Sequence, residues 1–217
     1  MIKPFQPEKQ SLKILVYGRS GTGKTYSLST IPDAYRPVII ANVDNKLVSL
    51  PSDKTKDFYV SEHIKSVQEY GEFLKSASEM EFKTLIIDSL SLLQQRHGQS
   101  MSSLVEDPQK RLIYYDRLYR HTIQLIDKTI ETFPDKTIIC TLLEDIDGLT
   151  GRYSGELMLT GKSKSVLPSR FDIIMYAKKQ KGKYMWVINS DENLTKIVPS
   201  MSDLPNEIEQ DYSLVLR

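Results

Sequence analysis

The sequence predicts a three-layer α/β domain on a mainly parallel sheet, with an antiparallel hairpin appended towards its C-terminal end. Three observations predict it. Short apolar runs at 12–17, 37–42, 84–89 and 137–143 alternate with helix-compatible stretches, the order a doubly wound sheet requires. A glycine-rich loop, Gly18-Arg19-Ser20-Gly21-Thr22-Gly23-Lys24-Thr25, joins the first run to the first helix. Two further runs, 172–177 and 184–188, flank Lys179-Gln180-Lys181-Gly182-Lys183 and read as a hairpin.

The elements follow in chain order. Residues 1–11 are polar with two prolines and are expected to form an arm over the surface. The strand at 12–17 is apolar almost throughout, as suits a strand covered on both faces. A helix over about 24–30 ends before Pro32, because the residue before a proline avoids helical angles. The strand at 37–42 runs into Val43-Asp44-Asn45-Lys46, and Asp57-Phe58-Tyr59-Val60 suits a short edge strand. Ser66 followed by Glu69 has capping-box spacing, and Val67, Gly71, Leu74 and Ala77 recur on one helical face.

After the strand at 84–89, Leu90, Leu92 and Leu93 begin a helix, and 98–106 reads as a mobile connection. Asp107-Pro108 supplies an N-cap and a proline at the first helical position. The long helix runs to about 132, with Leu112, Tyr115, Leu118, Thr122, Leu125, Thr129 and Phe133 at three- and four-residue steps. Between 143 and the hairpin lies a loop of about twenty residues carrying Gly148, Gly151, Gly155 and Gly161; loops that long inside a domain are usually functional. The tail from Ser190 contains Pro199 and Pro205 and resists assignment. No repeat or internal boundary is visible, so the 217 residues read as one domain.

Composition narrows the function classes. A net charge of +1 gives no global pull towards nucleic acid or membrane, so any basic surface is local. Cys140 is the single cysteine, inside an apolar strand, which excludes a disulfide framework and reads as packing. His63, His97 and His121 share no ligand spacing. No apolar run nears the ~18 residues of a spanning helix, and the N-terminal residues do not read as a signal peptide. A reducing, cytoplasmic location is expected.

The glycine-rich loop carries the chemistry. Its pattern, G-x-x-x-x-G-K-[ST], lets successive backbone N–H groups face one anion at a helix start. Gly18 to Thr25, with Tyr26 beside them, are therefore the expected nucleotide-binding residues: Lys24 reaches the β- and γ-phosphates of ATP, and the Thr25 hydroxyl coordinates Mg²⁺. Asp88, at the end of an apolar strand, is the expected second metal partner. Ligands sit at the carboxyl ends of such strands, which gathers Asp44, Asp88, Thr141 and Glu144 on one rim. Asp44 or Glu144 is the candidate to activate the attacking water.

Lys162, Lys164, Arg170, Lys178, Lys179, Lys181 and Lys183 stand against the single acid Asp172 between 162 and 183. That cluster suits a DNA backbone, or a neighbouring subunit's ATP completed by Arg170 or one of the lysines. Tyr153 has the ring to stack on a base.

With these residues placed, the chain resembles the phage-encoded AAA-type ATP-binding proteins that consist of a RecA-like recombinase core, a P-loop NTPase fold. The resemblance covers about residues 11 to 190 and rests on GRSGTGKT at 18–25, VIIANVDNKLVSL at 38–50, LIIDSL at 85–90 and LTGKSKSVLPSRFDIIMYAKK at 159–179. It implies a DNA-dependent ATPase acting on single-stranded DNA in recombination or strand annealing in the host cytoplasm. It also implies assembly into rings or filaments, with a single-strand-binding protein as a further partner. It puts strand 137–143 between the phosphate-loop strand and the Asp88 strand. In RecA-like proteins a glutamate stands where Asp44 does, and the Gly-rich segment 145–165 corresponds to a DNA-contacting loop. Two other readings compete: an ATP-gated, non-enzymatic scaffold or loader in phage replication, and a small-molecule kinase.

Overall fold

The computed structural model describes residues 11–217; the expected arm lies, apart from Ser11, outside the described residues. Four parallel strands form the centre: β1 (Lys13–Gly18), β2 (Val38–Asn42), β4 (Thr84–Asp88) and β5 (Thr137–Ile146). β3 (Phe58–Val60) extends the parallel sheet at one edge as expected, and β7 (Ile173–Gln180) continues it on the other side. β8 (Lys183–Val187) and β9 (Glu207–Glu209) add antiparallel, giving the order β3-β2-β4-β5-β1-β7-β8-β9. β5 therefore lies between the phosphate-loop strand and the Asp88 strand. Register aligns the chemistry: Asn42 opposes Asp88, Gly18 opposes Leu143 on one side and Ala177 on the other. The carboxyl ends of β1, β2, β4 and β5 thus share one rim.

Side chains alternate across each strand, so β1 feeds two cores. Leu15 and Tyr17 face α2 (Val67–Ser78), α3 (Leu90–Ser100) and α5 (Arg111–Thr132), packing with Tyr70, Leu93 and Ile126. Ile14 and Val16 face the other way, onto Leu28 and Ile31 and the C-terminal residues Met201, Tyr212 and Leu216. The second outer layer is therefore built by α1 (Lys24–Ser27), its 3-10 continuation Leu28–Thr30, and the tail. The tail that resisted assignment closes a core.

Local expectations meet several corrections. Ser66 caps α2, accepting from Glu69 N at 3.1 Å while Glu69 Oε2 accepts from Lys65 N at 2.7 Å. The face of Val67, Leu74 and Ala77 meets the core as expected, with buried Tyr70 in the stripe where Gly71 was expected. Residues 98–106 are helical, divided between α3 and α4 (Ser102–Glu106). Asp107 and Pro108 make a turn, and α5 starts at Arg111 behind Lys110. Leu112 and Tyr115 are exposed, because α5 reaches the core from Leu118 onward.

The expected long loop is a second hairpin. β5 continues to Ile146 and pairs with β6 (Tyr153–Leu157), followed by α6 (Ser163–Val166). The β7–β8 hairpin closes through Lys181 and Gly182, both at positive φ (50° and 80°), the backbone that a two-residue turn between right-twisted strands requires. Cys140 is buried and its thiol pushed up by that burial. No helix among the described residues is long and apolar enough to cross a membrane.

Candidate nucleotide-binding site

The loop between β1 and α1 leaves the sheet where β1 is most tightly flanked. A Cβ on Gly18 would lie 2.2 Å from Ala177 O, so only glycine allows β7 to pass there. The loop then curls around its own carbonyls. Lys24 Nζ donates to Gly18 O and Arg19 O, each at 2.8 Å, and Thr22 Oγ1 donates to Arg19 O at 2.8 Å. Gly23, at φ 87°, delivers the chain into α1, and Ser27 N bonds its carbonyl at 2.9 Å. Lys24 is buried, and that desolvation pushes its pKa down to about 8 against the pull of Asp88, Asp44 and Glu144.

Asp88 closes β4 beneath the loop. One carboxylate oxygen accepts from Thr25 Oγ1 at 2.9 Å and the other from Thr141 Oγ1, so β4, β5 and α1 meet on one acid. Burial raises its pKa while the two hydroxyls oppose the rise. Thr25 and Asp88 together offer the hard oxygen donors that Mg²⁺ takes. The chain then crosses to β2, where Val43 N and Asp44 N donate to Asp88 O at 2.8 and 2.9 Å. Asp44 is thereby fixed by its backbone at the same cleft, its carboxylate 3.6 Å from Lys46 Nζ. The cleft encloses about 560 Å³ and is lined by Lys24, Thr25, Asp44, Asp88, Thr141 and Tyr184, with Ser20, Gly21, Gly23 and Tyr26 also on its wall.

Glu144 stands apart from that cleft. Its buried carboxylate accepts from Gly155 N and Tyr176 Oη, both at 3.0 Å, and from Arg19 Nε at 3.3 Å. Three donors engage it, so it ties the β5–β6 hairpin to the loop, and it is not among the residues that line the cleft. Arg19 spends its guanidinium there too, 4.3 Å over the Tyr153 ring.

The basic cluster divides. Lys164 pairs with Asp145 and Glu156, Arg170 holds Asp127 in a two-pronged bridge at 2.6 and 3.2 Å, and Lys178 bonds Glu207 at 2.7 Å. Lys179 lies 4.8 Å over the Tyr184 ring. Lys162, Lys181 and Lys183 make no ion pair among the described residues, so much of the apparent positive charge is internally neutralised.

Sequence reasoning missed Tyr184, on the cleft wall, and Gln210, whose amide reaches the loop from the tail: Nε2 donates to Thr22 O at 2.8 Å. Register opposite Lys179 across the predicted hairpin was the one signal for Tyr184. Nothing local marks Gln210.

Fold and site together define a phosphate-loop nucleotide-binding protein with RecA-like strand order. Residues 10–198 match the family model described as an AAA domain (AAA_24), and the chain belongs to that family of P-loop ATPases. Among solved structures it is similar to a KaiC-like protein of the hyperthermophilic archaeon Pyrococcus horikoshii OT3, with TM-score 0.51, 14% identity, and 87% of this chain and 82% of that one covered. It is also similar to an ATPase from the type III secretion system of pathogenic bacteria, with TM-score 0.49, 13% identity, and 78% and 52% covered. No curated protein matches the chain significantly.

Proposed function

We propose that the chain hydrolyses ATP to ADP and phosphate, that it couples this to single-stranded DNA in recombination or strand annealing, and that copies assemble so that one closes the cleft of the next. The observation that carries the hydrolytic part is the convergence of Lys24, Thr25, Asp44 and Asp88 on one cleft from three strand ends. Lys24 offsets the charge on the transferring γ-phosphoryl group. Thr25 and Asp88 would hold Mg²⁺, which would supply neutralisation of the charge on the transferring phosphoryl group. Asp44 accepts a proton from the water as its oxygen bonds to the γ-phosphorus and the bond to the bridging oxygen of ADP breaks. Asp44 is one methylene shorter than glutamate, and its backbone N–H, donated to Asp88 O, fixes where the side chain starts.

Support for DNA is the β5–β6 hairpin, which exposes Leu149 and Tyr153 next to Arg152, together with Lys181 and Lys183 of the second hairpin, which make no ion pair among the described residues. ATPase rates of the wild type and of Asp44→Asn, with and without single-stranded DNA, test both parts. DNA is expected to raise the wild-type rate, and Asp44→Asn to lower turnover by about 10²–10⁴-fold with ATP affinity kept. An unchanged Asp44→Asn rate removes Asp44 from the chemistry. Hydrolysis indifferent to DNA removes the recombination reading, and no hydrolysis with or without DNA favours the ATP-gated, non-enzymatic scaffold or loader.

A further inference from the structure

Gln210 follows β9 and lies 188 residues from the loop in sequence, yet its side chain is built into the loop's back wall. Nε2 donates to Thr22 O at 2.8 Å and to Met185 O at 3.1 Å; both partners are carbonyls, which identifies the nitrogen end of the amide. Oε1 is buried without a partner and lies 2.7 Å from the point where a Cβ on Gly23 would stand. The Tyr184 ring lies 2.9 Å from the same point. Gly23 is therefore glycine for two reasons, its positive φ and the tail pressed against it.

We infer that Gln210 is a positioning residue for phosphate binding, orienting the Thr22–Gly23 peptide so that a loop N–H faces the nucleotide. The inference rests on the nucleotide reading of the loop. A trans peptide is planar, with its C=O and the following N–H on opposite sides. Only the Arg36–Pro37 and Asp88–Ser89 bonds are cis among the described residues, so the Thr22–Gly23 peptide is trans. Drawing Thr22 O towards Gln210 turns the Gly23 N–H away from Gln210, and Gly23 itself lines the cleft. The same segment holds the end of the following turn, since Tyr212 N donates to Thr30 Oγ1 at 2.8 Å and the Tyr212 ring packs edge-on to Trp186 at 4.8 Å. The tail thus grips the phosphate-binding unit at both ends, and a donor held ready before the ligand arrives need not be ordered on binding.

Equilibrium titration of the full chain with ATP and with inorganic tripolyphosphate tests this, comparing wild type with Gln210→Met, which keeps the length and removes the donor. About tenfold weaker binding of both ligands is expected, with the ligand-free thermal midpoint little changed. A merely structural role would lower the midpoint without that shared loss. Equal affinity in the variant, or a loss confined to ATP, overturns the inference and leaves the nucleotide reading standing. A wild type that binds neither ligand overturns both. Should Gln210→Met not fold, hydrogen exchange of the wild type decides: ATP is expected to slow exchange of the amides at 210–212, and unchanged exchange there refutes the coupling.

Discussion

Asp88 concentrates the energetic tension of the site in one residue. Only 3% exposed, it has no lysine or arginine within ion-pair distance among the described residues and is held by two hydroxyls, those of Thr25 and Thr141. Burying a carboxylate costs several kcal/mol unless donors replace water. Thr141, mid-strand and indistinguishable in the sequence from any strand threonine, is one of those donors. Thr141→Val is therefore expected to destabilise the nucleotide-free protein by about 1–3 kcal/mol, the cost of stranding part of a buried acceptor. Urea unfolding measures it, and an unchanged midpoint would mean that the Asp88 carboxylate finds another donor.

Among the elements, helix faces were legible where apolar spacing meets a core and misleading where it does not. Leu112 and Tyr115 keep the spacing of α5 yet point to solvent, since periodicity records a face and not what covers it. The contact of α3 with α5 adds a polar pair that spacing did not suggest: His97 Nε2 lies 2.6 Å from His121 Nδ1. Burial, then the proximity of His121, lowers the His97 pKa from 6.5. The unfolded chain consequently binds more protons than the fold as pH falls below about 6.5, so acidification costs stability there and none is lost above it. Wild-type stability should fall as the pH drops below about 6.5, and His97→Gln should flatten that slope. A slope unchanged in the variant would assign the acid sensitivity elsewhere.

For the molecule as a whole, the sheet order puts the β7–β8 hairpin next to β1, where its turn extends past the phosphate loop on the same rim. Under the proposed assembly, Lys181, in that turn and outside any ion pair of the described residues, is the cation we propose to serve a neighbouring copy. Lys24→Ala removes a subunit's own nucleotide site and leaves its hairpin; Lys181→Ala does the reverse. Each alone is expected to lose at least about 10³-fold in turnover, the scale of a missing trans cation. A one-to-one mixture should recover a clear fraction of wild-type rate. No recovery would return Lys181 to a role within its own chain.

The sequence by itself determined the phosphate loop, the parallel core strands, the β7–β8 hairpin and Asp88, because each is written in contiguous residues: a fixed glycine spacing, an apolar run, a turn between alternating segments. Tertiary structure alone decided the rest. It paired Lys164, Arg170 and Lys178 with acids of other elements, engaged Glu144 with three donors, and brought the tail back to cover a sheet face and hold Thr22. Those facts depend on strand order and on contacts between separate elements, from 8 positions apart for Lys164–Glu156 to 188 for Gln210–Thr22, and no local pattern encodes such a partner.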